Sequence, residues 1–141
     1  MSPSRSSPVA LLAILSLLAS AAARAEDQPA APGGKEGKIV YDLTEGGGKA
    51  LLDRLDSIEE TRQDLIKQGI TPRFVISFRG PSTKLVQTNL EKIKPEDRPF
   101  AAPIAARVLE LSKAPGVDAL EQCAVAIRHQ GTKAENVVAP I

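Results

Sequence analysis

Apolar and polar positions alternate between two periods along this chain. Lys38-Ile39-Val40-Tyr41-Asp42-Leu43 is a short β-rich run closed by Thr44-Glu45-Gly46-Gly47-Gly48, the pattern of a strand ending in a turn. Leu51, Leu52, Leu55, Ile58, Leu65 and Ile66 then recur at helical spacing, with Asp53, Glu59, Glu60, Gln63, Asp64 and Lys67 between them and Gly69 as the stop. Arg73-Phe74-Val75-Ile76-Ser77-Phe78 reads as a second strand, entered at Pro72 and left at Gly80-Pro81, and its nearly continuous apolar character suits a buried parallel strand. Ser82 can cap a helix carrying Leu85, Val86 and Leu90. The polar stretch Lys94 to Pro99 leads into another helix from about Phe100 to Ser112, ended by Ala114-Pro115-Gly116. Val117 to Gln122 reads as a weaker strand, Ala124 to Gln130 as a short helix and Val137-Val138 as an edge strand.

Strands alternating with amphipathic helices predict right-handed βαβ crossovers and a mostly parallel sheet covered on both faces, an α/β fold of three layers, α/β/α. In such sheets binding residues gather beyond the carboxyl ends of the strands. Three segments fall there: Thr44 to Lys49, Arg79 to Thr83, and Gln122 to Ala124.

The N-terminus follows a different pattern. Arg5 precedes an uncharged stretch, Ser6 to Ala23, whose apolar centre runs from Val9 to Leu18 and is shorter than the roughly 20 residues of a spanning helix. Small residues follow, ending in Ala23-Arg24-Ala25, an A-x-A cleavage pattern. Residues 1–25 are therefore expected to be a signal peptide cleaved after Ala25, giving a periplasmic or secreted protein with no stable membrane anchor after cleavage. Glu26 to Gly37 lacks any large apolar residue and is expected to be a flexible leader, which leaves 38–141 as one folded domain.

Composition narrows the chemistry. The 141 residues carry 18 Lys and Arg against 17 Asp and Glu, a net charge of +1, and aromatics make up only 3%. Nucleic acid is not an expected partner, because there is neither a basic footprint nor a set of stacking platforms. One Cys and one His exclude an internal disulfide framework and a Cys/His zinc cluster, so no metal site is expected. Gly46-Gly47-Gly48-Lys49 lacks the earlier glycine and the following hydroxyl of a phosphate loop, and no cofactor is expected. Asp42 and Glu45 lie close in sequence, but nothing in their spacing supports paired-carboxylate hydrolysis.

Cys123 is the main candidate. It falls between a strand and a helix start, where free N–H groups favour a thiolate; the alternative is a packed cysteine behaving as a small hydrophobe. Arg79 could bind an anionic sulfur species there or serve as an ordinary surface charge. Gly80 and Ser82 lie in a turn into a helix start that could hold an anion or be simply a capped helix. His129 follows Cys123 by six residues, which on a continuous helix is a net rotation of about 240°, onto another face.

The run Gly116-Val117-Asp118-Ala119-Leu120-Glu121-Gln122-Cys123-Ala124-Val125-Ala126-Ile127, with Phe78-Arg79-Gly80-Pro81 and Ile39-Val40-Tyr41-Asp42-Leu43, resembles the DsrE/DsrF-like sulfur-relay family in its exported branch. The resemblance implies a small α/β/α domain assembling into homotrimers or homohexamers, with Cys123 where active members carry persulfide sulfur. It also implies sulfur donor and acceptor proteins as partners. Many members have His before the glycine of the second motif, where this chain has Arg79. The expected function is a sulfur carrier, with at most sulfur-transfer activity. The alternative is a non-catalytic oligomeric binding or interaction module, and a thiol hydrolase comes third because no acid or base partner is visible.

Overall fold

A computed structural model describes residues 34–141; the expected signal peptide and most of the expected leader lie outside the described residues. The chain runs β1 (Glu36–Leu43), α1 (Gly48–Lys67), β2 (Thr71–Phe78), α2 (Ser82–Leu85), α3 (Ala101–Lys113), β3 (Val117–Gln122) and α4 (Ala124–His129). Short 3-10 turns lie at Leu90–Lys92, Arg98–Phe100 and Ala134–Asn136. The three strands form one parallel sheet in the order β1-β2-β3, so the class is α/β with a parallel sheet, as the alternating periods predict. β1 starts at Glu36, inside the stretch expected as leader, and a side chain at Gly37 would press on Leu65 and Ile70.

Period 2 on the strands and period 3.6 on the helices meet in a single core. Leu43, Phe74, Ile76 and Phe78 project from the sheet onto Leu51, Leu55 and Ile58 of α1 and Ile104, Val108 and Leu111 of α3; all are essentially inaccessible to solvent. Arg62, one turn beyond Ile58, is also buried. Its guanidinium donates to Glu59 at 2.7 and 2.8 Å and to the Pro115 carbonyl at 3.0 Å, tying α1 to the turn before β3. The Arg62 hydrogen bonds hold the Glu59 carboxyl below its ordinary pKa. Gly116 shapes that turn. Its φ is +89°, and a Cβ there would lie 2.5 Å from the Pro72 carbonyl oxygen, so both conformation and space demand glycine.

The two sheet faces are unequal. The chain steps from β1 to β2 to β3 in one direction, and right-handed crossovers taken in one direction deposit their helices on one face. The helical cover expected over both faces is accordingly present over the Phe74 face. On the other face Lys38, Val40, Asp42, Arg73, Asp118 and Glu121 are exposed.

Two further elements differ from the expectation. The helix expected to carry Leu85, Val86 and Leu90 is one turn long: Val86 leaves the helical region, and Leu90 is exposed in a 3-10 turn capped by Asn89. The segment after α2 pairs with the C-terminal tail instead, through Val138 N–H to Val86 O at 3.0 Å and Thr88 N–H to Asn136 O at 2.6 Å. Val137 accordingly forms an isolated antiparallel bridge with Gln87 and does not extend the sheet.

Candidate functional site

Parallel register makes the carboxyl ends of the strands level: Leu43 pairs with Phe78, and Phe78 with Gln122. The three segments expected at this edge are stitched together by backbone. Arg79 N–H donates to Leu43 O at 2.8 Å and Cys123 N–H to Phe78 O at 3.1 Å. Behind them, the Gln122 and Gln87 side-chain amides both donate to the Thr83 carbonyl at 3.1 Å, which fixes α2 against the end of β3.

Cys123 is the N-cap residue of α4, with an extended backbone, and its carbonyl accepts the Ile127 N–H at 3.0 Å. The thiol is free and half-buried. It lies on a hollow of about 360 Å3 that is also lined by Thr44, Arg79, Gly80, Val125 and His129. α4 is only six residues long, so its dipole is small, and the basic groups facing the hollow are Arg79 and His129. No hydrogen bond joins Cys123 and His129 among the described residues, yet both line one wall. The helix α4 has Cys123 as its cap and His129 as its last residue. Within it, Val125 and His129 are four residues apart and share a face.

The other candidates separate in role. Arg79 grips Asp42 through two parallel bonds, Nε to Oδ1 at 2.7 Å and Nη2 to Oδ2 at 2.6 Å, on an exposed surface. Its charge at the hollow is therefore largely neutralised. Gly80 makes the turn with φ +52°. Ser82 does not present its hydroxyl to a ligand: it is fully buried, and its single O–H is shared between the Leu43 and Arg79 carbonyls, each 2.8 Å away. Glu45 lies toward Arg54 at 3.9 Å while Asp42 serves Arg79, and Lys49 pairs with Asp53, so neither a carboxylate pair nor a phosphate loop forms.

A second hollow of about 300 Å3 has Lys84, Lys92, Lys94, Gly46 and Asp97 in its lining. Gln130 lines both hollows, which are therefore neighbours. These lysines carry no spacing signal in the sequence; the single turn of α2 and the 3-10 turn at Leu90–Lys92 bring them together. The Oδ1 of Asp97 accepts the Gly48 N–H at 2.6 Å at the start of α1. Among the described residues no cluster of three or more His, Cys, Asp and Glu could hold a metal ion, and no helix is long and apolar enough to cross a membrane.

Comparison of the chain with protein-family models, with curated proteins and with solved structures finds no match.

Proposed function

We propose that the protein is an exported sulfur carrier that holds persulfide sulfur on Cys123 and passes it to a partner thiol. The observation that carries this reading is a free, half-buried thiol at the junction of β3 and α4, opening on a hollow that Arg79 and His129 share. In loading, the Cys123 thiolate attacks the outer sulfur of a donor persulfide. A new S–S bond forms on Cys123, the donor S–S bond breaks, and the donor leaves as its thiolate. Unloading is the same displacement run onto an acceptor thiolate, with Cys123 as the leaving group, so no external oxidant or reductant is consumed. The resemblance to the DsrE/DsrF-like family supports the same residue and adds assembly into trimers or hexamers to the proposal.

Incubation with a small persulfide donor followed by intact mass spectrometry tests it. The wild-type chain should gain the mass of one sulfur atom, removable by reductant, and Cys123→Ser should gain none while keeping its circular dichroism spectrum. A Cys123 that neither loads nor reacts with alkylating reagents until the protein unfolds would make it a packing residue and overturn the proposal.

A further inference from the structure

The hollow beside that of Cys123 carries an unbalanced charge. Lys84, Lys92 and Lys94 all line its volume of about 300 Å3, the lower end of the range for small-molecule sites. The fold fixes their convergence. Lys84 lies on the single turn of α2, next to the buried Leu85. Ile93 is buried and its backbone is extended, which sets Lys92 and Lys94 on the same side of the chain. The Arg98 guanidinium donates to the Leu90 and Ile93 carbonyls, each at 3.1 Å, and so holds this turn in place.

Among the described residues the three ammonium groups make no ion pair and no hydrogen bond, whereas Lys38, Lys49, Lys67 and Lys133 each meet a carboxylate. Nearby acidic residues do not cancel them. Asp97 is the one carboxylate in the lining, and its Oδ1 is turned to the Gly48 N–H, at the positive end of the 20-residue α1, whose first turn holds no acidic residue. Glu91 and Glu96 are exposed and outside the lining, and Glu45 lies toward Arg54. The lining therefore keeps three positive charges against one negative. Ammonium groups held around one hollow repel each other, and an anion between them relieves that repulsion.

We propose that this hollow binds a doubly charged oxyanion, free phosphate or the phosphate group of a small ester, between Lys84, Lys92 and Lys94. Lysine suits such a group as a point charge, and two negative charges match the excess of the lining. Pro81, Leu85 and Ile93 supply an apolar wall for the organic part of an ester. The site stands apart from the chemistry of Cys123, whose hollow it adjoins at Gln130.

Titration of isotope-labelled protein with inorganic phosphate at constant ionic strength, followed by NMR, reads the site. Amide signals of Gly46, Lys84, Lys92 and Lys94 should shift saturably with a millimolar dissociation constant, and sodium chloride should not reproduce the shifts. Lys84→Gln, Lys92→Gln and Lys94→Gln should each weaken binding about three-fold, and the triple variant should abolish it. Asp97→Asn keeps an acceptor for the Gly48 N–H while removing the negative charge of the lining, so it should bind phosphate about three-fold more tightly. Phenyl phosphate separates the two sources: binding tighter than that of phosphate assigns the site to an ester, and equal or weaker binding assigns it to the free ion. Circular dichroism confirms that each variant is folded. Shifts that are absent, fail to saturate, are matched by chloride or survive in the triple variant overturn the proposal.

Discussion

Cys123 lies at the start of α4, as its N-cap with extended φ and ψ, and lines the same hollow as His129 at the helix end. Arg79 reaches the hollow from the end of β2 while its guanidinium remains on Asp42. Removing it leaves Asp42 without its partner and changes the local charge by one unit. Arg79→Ala should slow alkylation of Cys123 by anionic iodoacetate relative to neutral iodoacetamide by roughly three-fold, the scale of a solvent-screened interaction of about 0.7 kcal/mol. Competing alkylation with both reagents, read by mass spectrometry, checks this; an unchanged ratio would mean that the Arg79 charge does not act on the thiol. Ser82 shows the converse case. A hydroxyl before a predicted helix looks like a cap or an anion ligand in sequence, and in the fold its one proton is shared between the Leu43 and Arg79 carbonyls.

Among the elements, α1 was the most legible, because Leu51, Leu55 and Ile58 repeat at helical spacing and Gly69 follows its end. Its N-terminal satisfaction was not legible. The N-cap residue is Gly47, which has no side chain to offer, and the acceptor for the Gly48 N–H comes from Asp97, 49 residues away in sequence. A carboxylate at this position also complements the positive end of a 20-residue helix. Asp97→Ala should therefore lower stability by about 1–2 kcal/mol, seen as a fall of several degrees in the thermal midpoint. Asp97→Asn should lose less, since an amide oxygen can still accept the bond. Thermal unfolding followed by circular dichroism reads both. The segment after α2 reads as helix in the sequence because Leu85, Val86 and Leu90 have an acceptable spacing. The β-branched Val86 and the Gln87-Thr88-Asn89 run favour helix weakly, and pairing with residues 136–138 offers their backbone an alternative.

For the whole molecule, the sheet order determines which surfaces remain open. Two crossovers in one direction build a deep core on one side and leave charged residues around the exposed Val40 on the other. The proposed export belongs to this scale as well, since the proposal includes loss of the signal peptide, residues 1–25. Protein recovered from the exporting cell should begin at Glu26, and N-terminal sequencing checks this; a mature chain retaining Arg5 and the apolar run from Val9 to Leu18 would contradict the proposal.

The α/β class, the three strands, both long helices and the placing of Cys123 at the carboxyl edge follow from periodicity, because burial on one side of a helix or strand writes itself into local spacing. Which faces are covered, which lysines share a hollow, that Asp97 caps α1 and that His129 lines the same hollow as Cys123 were decided by the tertiary structure. Each depends on bringing together residues distant in the chain, or on a backbone turn at a single residue, and neither leaves a periodic trace in the sequence.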